Sequence, residues 1–474
     1  MYLDRTKTQL VCRHPTIAII GGGYSGAAVA LHLAHRGAAA RVIVYEPRAE
    51  LGRGLAYSTS DPDHRLNVPD SKMTLFSHDP LHFRHWLSSA DLPRLPAGSA
   101  TLAGDIFAPR AVFGQYVAAA LAPLLAAGRI EHCRASATSI RKQGAGFAVR
   151  DDRGQVQKVE AVVLAVSHPP PALPPELRAL ADDPGLITHT AGEAALAGLA
   201  PQDRVLIVGS GLTSADVLAT LMRQEGRAPV HVLSRHGWRS QPHGPKQAET
   251  SADFAAEPAS TALALLRKVR AAVRAEAARG ITWHAVFDRL RAQGPAIWAA
   301  LPLPERQRFL RHLRALWDIH RFRIAPQTHA TLCEAERRKR AVFHAARLLG
   351  AERQAGGLLV TIRPRGARLW QSLTVDKVVL ATGPAHAQVI AGNPALAALA
   401  GQGLVQPDPL KLGLATAPDG RAIGQAGPVD GLFVAGPLAR GTVGELMGVP
   451  EVTAWAEHVA GQILASLPSP ATQG

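Results

Sequence analysis

Three glycines and one acid are the first residues in the chain whose types and spacing can do chemistry together. Gly21-x-Gly23-x-x-Gly26 stands directly after the apolar run TIAII at 16–20, and Glu46 lies 20 residues beyond Gly26. Gly21 permits a tight turn, Gly23 lets the backbone approach a pyrophosphate, and Gly26 allows a helix to pack closely on a strand. Ser25 belongs to the same turn. A helix opening here offers unpaired N–H groups and a partial positive charge to an anion. Glu46 closes RVIVYE, where an acid accepts hydrogen bonds from ribose hydroxyls. The chemistry is dinucleotide binding.

A second set repeats the first with two changes. Gly209-x-Gly211-x-x-Ser214 follows VLIV, with Ser in the last slot. Glu46 lies 23 residues after Gly23, and the same count from Gly211 reaches Ser234, followed by Arg235 and His236. A carboxylate repels a 2′-phosphate, whereas a guanidinium pairs with it bidentately. NADPH is therefore favoured over NADH, with Arg235 as partner; otherwise Arg235 is a solvated loop charge. Further along, GLFVAGPLARG reads as a buried strand closed by Gly436-Pro437. The helix GVPEVTAWAEHVAGQIL then carries Pro450 and Glu451 in its first turn. His64 and His320 are candidates for orienting a substrate, or ordinary surface and capping residues. Arg321 and Arg323 either anchor an anionic substrate or pair with Asp318. Asp61 and Asp63 flank Pro62 and read as turn residues. No Ser/His/Asp, Cys/His or metal-ligand constellation stands out.

The elements that must position these residues follow from hydrophobic period. TIAII, the Ala/Leu-rich segment after Gly23, and RVIVYE read as β–turn–α–β of a parallel sheet. VLIVG, SGLTSADVLATLMRQ and VHVLSRHG repeat it. A hairpin feeding a buried VVLA strand also occurs twice, once ending at Ser167 and once over 357–383. From 253 to 350 the chain shows no strand signal and reads as helices. In RQRFLRHLRALWDIHRFR, Phe309, Leu310, Leu313, Leu316 and Trp317 fall on one helical face, with Arg308, Arg311 and Arg314 off it. The fold class is α/β: two Rossmann-like dinucleotide-binding domains, the second, NAD(P)H-type one inserted in the first, with a helical insert capping the second unit. The domains are 1–197 and 357–474 for the first and 198–356 for the second.

Composition bounds the rest. The 474 residues carry nine lysines and 43 arginines for a net charge of +15, with 47% hydrophobic residues. That is a globular chain whose basic excess admits nucleic acid, a membrane surface or anionic small molecules. Cys12, Cys133 and Cys333 stand far apart without a CxxC, which argues against a disulfide framework, a zinc site or a dithiol redox centre. MYLDRTKTQLVCRHP lacks the apolar core of a secretory signal, and AVFGQYVAAALAPLLAAG, broken by Gln115 and Pro123, reads as a buried helix. A soluble, cytoplasmic protein with no membrane and no nucleic-acid partner is expected.

Together the two glycine units, the two VVLA strands and the terminal strand–helix resemble the two-dinucleotide-binding flavoproteins. Within that group, GRGLAYSTSDPDHRLNVP (52–69), FSHDPLHFRHWL (76–87) and WDIHRFRIAP (317–326) resemble the FAD/NAD(P)-binding protein family. That family includes bacterial FAD-dependent urate hydroxylases and is similar to class B and N-hydroxylating flavin monooxygenases. The resemblance implies that Gly21, Gly23, Gly26 and Glu46 hold the ADP half of FAD. It places Arg53 and Asn67 along the pyrophosphate and towards the flavin, and Gly209, Gly211, Ser214 and Arg235 on NADPH. Gly436 and Pro437 approach the flavin; related disulfide reductases have Gly-Asp there, so Pro437 and the missing CxxC argue against that chemistry. The implied activity is an NAD(P)H-consuming FAD monooxygenase, working through a flavin C4a-(hydro)peroxide and O2. Its substrate would be small, anionic or N-heterocyclic, urate among the candidates, with His64, Asn67 and Arg321 as catalytic residues. The rivals are a flavin-dependent nucleic-acid-modifying enzyme and a non-catalytic FAD-binding electron-transfer module.

Overall fold

The structure, a computed structural model, describes residues 14–37, 39–89, 95–190 and 194–467. The opening segment and Cys12 lie outside the described residues. In chain order the first strands are β1 (Thr16–Ile20), β2 (Arg41–Tyr45), β3 (Ile130–Cys133), β4 (Ala137–Gln143), β5 (Gly146–Asp151), β6 (Val156–Val159) and β7 (Ala161–Leu164). The second group is β8 (Leu186–Ile187), β9 (Val205–Val208), β10 (Val230–Ser234), β11 (Ala341–Gln354), β12 (Gly357–Pro364), β13 (Gln371–Val375) and β14 (Lys377–Leu380). β15 (Arg421–Gly424) and β16 (Gly427–Val434) close the series.

They form a six-stranded sheet in the order β15-β16-β7-β1-β2-β3, a seven-stranded sheet β13-β12-β11-β10-β9-β14-β8, and a three-stranded meander β4-β5-β6. β1 lies parallel between β2 and β7, with Ile20 level with both Tyr45 and Leu164. β9 is placed the same way between β10 and β14, with Val208 level with Leu233 and Leu380. Both central strands are covered on both faces, so they read as unbroken apolar runs rather than alternating ones. In each sheet the chain leaves the central strand to one side and returns on the other, the switch point where ligands bind in open α/β sheets. The fold is α/β with two Rossmann-like units, as expected.

The structure differs from the expected layout at four points. The second sheet begins at β8 and ends at β14, so the boundaries at 197/198 and 356/357 fall inside it; the second unit spans 186–380. Residues 341–350 belong to β11, whose first five residues pair with β10 and whose remainder pairs with β12. Alternation along this strand is masked because it serves a parallel sheet and an antiparallel ribbon in turn. The long Arg-rich helix breaks at Leu313 into Leu303–His312 and Arg314–Arg321. The insert also caps more than the second unit. Its core of Phe254, Val286, Trp298 and Leu301 includes Leu412, and Trp298 donates Nε1–H to the carbonyl of Gly441 at 2.9 Å, both from the first unit. No helix among the described residues is long and apolar enough to cross a membrane.

Candidate active site

The turn after β1 is built as its residue types require. Gly21 has φ +101°, and a Cβ there would lie 2.5 Å from the carbonyl oxygen of Ala165. A Cβ on Gly26 would lie 1.9 Å from the carbonyl oxygen of Gly21, so the helix Tyr24–His35 can sit against the strand only with glycine at that position. Gly23 differs. Its Cβ would meet no protein atom nearer than Gly54 Cα at 3.5 Å, so protein packing does not demand this glycine and space is left over it. The helix starts at Gly23 with no side-chain cap. The GRG loop roofs the turn, Gly52 N–H donating to the Gly22 carbonyl at 2.8 Å. Glu46 is buried and accepts from the N–H of Gly22 and of Arg48, both at 3.1 Å.

These residues line a cavity of about 400 Å3 that also takes in Ser25, Arg53, His64, His168, Pro437 and Gly448. Gly436, at φ +68°, brings its backbone against the Ser25 side chain, where a Cβ would lie 2.2 Å from Oγ. The helix Val449–Ser466 begins at Gly448, again without a side-chain cap. Two uncapped helix N-termini therefore converge on one cavity, the arrangement that suits a bound anion at one and developing negative charge at the other. The residues fit the pyrophosphate and ribose of FAD: spare room over Gly23, free helix N–H groups and a buried acid one strand away.

The second unit keeps the turn and changes the rest. Gly209 has φ +119°, its Cβ would lie 2.2 Å from the Ala381 carbonyl oxygen, and a Cβ on Gly211 would meet nothing within 4 Å. Ser214 is buried in the slot of Gly26. Ser234 Oγ accepts from Gly237 N–H at 3.1 Å, and Arg235 is exposed with no ion pair among the described residues. His236 stacks on Trp238, ring centroids 4.6 Å apart. Burial first, then the charges of Arg365 and Arg235, hold His236 below its ordinary pKa. An unpaired Arg235 at this strand end is the arrangement a 2′-phosphate would use.

Of the catalytic candidates, Asn67 and Arg321 line one large cleft, and His64 lines the cofactor cavity. Both ring nitrogens of His64 are engaged, Nδ1 with Thr59 Oγ1 at 2.9 Å and Nε2 with Thr220 Oγ1 at 3.0 Å. Asn67 lines a larger cleft, and its carbonyl accepts from His243 Nε2 at 2.8 Å. Burial holds His243 at about 4, so it is neutral. Arg321 is buried and pairs with Glu445, its Nε donating at 2.6 Å. Asp318 pairs instead with Arg314 at 3.4 Å, and Arg323 with Asp288 at 2.9 Å. His320 stacks on Phe287 at 4.7 Å and bonds the Leu316 carbonyl, within the insert's aromatic cluster.

The cleft holds about 1340 Å3 and joins the cofactor cavity through Ala56, Tyr57, Arg110, Asp216, Met447 and Gly448. Its cations are largely matched. Arg291 grips Glu451 at 2.6 and 2.9 Å, and Arg289 reaches Glu249 at 3.2 Å. Burial opposes ionisation of Glu451, but the hydrogen bonds from Arg291 hold its carboxyl below the usual range.

Sequence reasoning missed a row of contacts along the helix Leu212–Met222. Asp216 pairs with Arg110 at 2.7 Å, Thr220 donates to Asp61 at 2.7 Å, and Arg223 meets Asp61 at 2.7 Å and Asp63 at 3.3 Å. Asp61 and Asp63 thus tie the first unit to the second as well as forming a turn. Burial pushes the Asp216 carboxyl up, against the pull of Arg110. The signal was the polar stripe 216, 220, 223 on an otherwise buried helix.

Residues 18–169, which contain the first glycine turn, Glu46 and β7, match the FAD-NAD(P)-binding family. No curated protein matches the chain in sequence. Among solved structures, the chain is similar to ornithine hydroxylase from Pseudomonas aeruginosa (TM-score 0.61, 16% identity, 96% of this chain and 100% of that one). It is also similar to the ornithine N-hydroxylase of Kutzneria sp. 744, solved with reduced FAD, NADP+ and L-ornithine (0.58, 16%, 96% and 98%). The bacillithiol disulfide reductase of Staphylococcus aureus follows (0.54, 14%, 95% and 98%). The fold is that of the two-dinucleotide-binding FAD- and NAD(P)-dependent oxidoreductases. Because it serves both hydroxylation and disulfide reduction in these relatives, function has to be argued from the site.

Proposed function

We propose that the protein is an FAD-dependent, NADPH-consuming monooxygenase that hydroxylates a small polar heterocycle of the urate type. The observation that carries this is the convergence of two uncapped helix starts on the family-type cavity, which opens into a separate cleft large enough for nicotinamide and substrate. When bound, FAD accepts hydride and reacts with O2. Gly21, Gly23, Ser25 and Gly26 would hold its pyrophosphate, and Glu46 its ribose, with Arg53, Gly436 and Pro437 alongside. Gly209, Gly211, Ser214 and Arg235 would hold NADPH. The start of the helix at Val449 would favour negative charge at the flavin edge.

The disulfide-reductase alternative finds no dithiol among the described residues: Cys133 and Cys333 are free, and Cys333 is exposed on the insert. For the substrate, matched pairs such as Arg291–Glu451 and Arg323–Asp288 offer donors and acceptors side by side. That suits a heterocycle with alternating N–H and C=O groups better than a bare anion. Asn67, Lys72 and Arg321, which line the same cleft, would orient it, Arg321 being held in place by Glu445. His64 would position the second unit rather than touch substrate.

Aerobic NADPH oxidation by FAD-reconstituted protein, with urate, other purines and L-ornithine, tests the reading. Substrate-dependent oxygen uptake recovered as hydroxylated product is expected. Oxygen recovered only as hydrogen peroxide with every substrate would overturn monooxygenation, and an ornithine product would overturn the heterocycle assignment.

A further inference from the structure

The helical insert, together with Leu412 and residues 440–445 of the first unit, lines a partly open cavity of about 120 Å3 that shares only Phe287 with the large cleft. Its walls include Leu265, Ile297, Phe309, Leu310, Trp317 and the ring of Trp298, whose one polar atom is already bonded to Gly441. An apolar cavity of this size, on the order of 100–150 Å3, accommodates one benzene-sized ring. One end is not apolar. Arg440 lines it, is 7% exposed, and has no hydrogen bond or ion pair for its guanidinium among the described residues.

Asp318, Glu445 and Asp408 act on the Arg440 guanidinium electrostatically, but none bonds it, since each is engaged elsewhere. Asp318 is engaged with Arg314 and Glu445 with Arg321. His168 and His386 lie edge to face, centroids 5.0 Å apart. Burial first, and then the neighbouring positive groups including Arg440, hold them at about 4 and about 3, so both are neutral. Burial likewise holds Arg440 below its ordinary value, with Arg314 adding to the effect. His168 Nδ1 and Asp318 Oδ1 are themselves buried without a partner. A buried guanidinium with no hydrogen-bond acceptor is costly unless a ligand supplies one.

We propose that this cavity binds a small carboxylate with one aromatic ring or a branched aliphatic body, its carboxylate on Arg440 and its body among Trp298, Phe309, Leu310 and Trp317. The planar fork of arginine matches a carboxylate bidentately. The same cavity touches Gly444 and Glu445, and three residues on, Met447–Val449 line the cofactor cavity, so an occupant bears on the strap between the two.

Benzoate and its neutral isostere benzamide are the probes, titrated against the full-length flavin-loaded protein by equilibrium dialysis and tryptophan fluorescence. Benzoate is expected to bind saturably and about 10-fold or more tighter than benzamide, the scale of a charged hydrogen-bonded pair. Arg440→Gln should abolish that preference, and Leu310→Trp, which fills the cavity, should abolish binding of both while flavin content is kept. Equal binding of the two probes to the unmodified protein, no saturable binding, or a preference that survives Arg440→Gln would overturn the proposal. None of these readouts uses turnover, so their failure leaves the proposed monooxygenase reaction standing.

Discussion

The two glycine turns share a backbone and differ in what surrounds it. In each, the first glycine takes positive φ against the carbonyl of the returning strand, Ala165 in one and Ala381 in the other. In each, its N–H bonds the end of the next strand, Gly21 to Tyr45 at 3.0 Å and Gly209 to Leu233 at 2.8 Å. The first turn is roofed by the GRG loop, faced by a buried acid and packed so tightly that Gly26 tolerates no side chain. The second is open over Gly211, accepts Ser214, and ends its strand at an exposed arginine. A roofed site suits a resident cofactor, and an open one suits a nucleotide that enters and leaves each turnover. The same turn is thus built closed in one unit and open in the other.

Exchanging the last small residue separates them most sharply. Gly26→Val should cost about 4 kcal/mol or more and abolish flavin uptake. Ser214→Gly should cost at most about 1 kcal/mol and keep the flavin. Urea unfolding and visible flavin absorbance per chain check both.

The joint between the units comes next. Arg110→Ala leaves Asp216 buried without its cation and should cost about 3 kcal/mol. Asp216 then prefers its proton still more, so the loss should deepen as pH rises through its raised pKa, read by unfolding across pH.

Arg235→Ala should lower kcat/KM for NADPH about 10- to 100-fold and leave NADH unchanged. An unchanged nucleotide preference would remove Arg235 from the second site.

The effect that is smallest at neutral pH, and grows only on acidification, involves His168 after β7 and His386 near β14, whose rings meet edge to face. Both are held neutral, so their stabilisation is full above the ordinary histidine pKa of 6.5 and is lost as pH falls towards about 4 and about 3. Arg440 and Arg314 face them and add to the effect. Each histidine contributes a slope of up to about 1.4 kcal/mol per pH unit. His386→Gln should flatten unfolding free energy against pH between these limits.

Both turns and both parallel cores were legible because each depends on local residue types: Gly21 and Gly209 for the turn, TIAII and VLIV for strands covered on both faces. Glu46 and Arg235 were legible by count, since strand length fixes where the next strand ends. β11 was not, because one strand serves two sheets and its side chains alternate for neither. The break at Leu313 escaped because its apolar face continues across it. Arg321 read as a substrate anchor or a partner of Asp318, since Glu445, 124 residues away, cannot be paired with it by local spacing. The joint made by Asp61, His64, Arg110 and Asp216 is tertiary for the same reason.

The most direct measurement mixes FAD-reconstituted protein with NADPH in the absence of oxygen and follows the flavin absorbance. Bleaching in proportion to NADPH consumed is the expected result, faster than with NADH. A flavin that binds but keeps its oxidised spectrum under excess NADPH would contradict the account, leaving a cofactor-binding module in place of an enzyme.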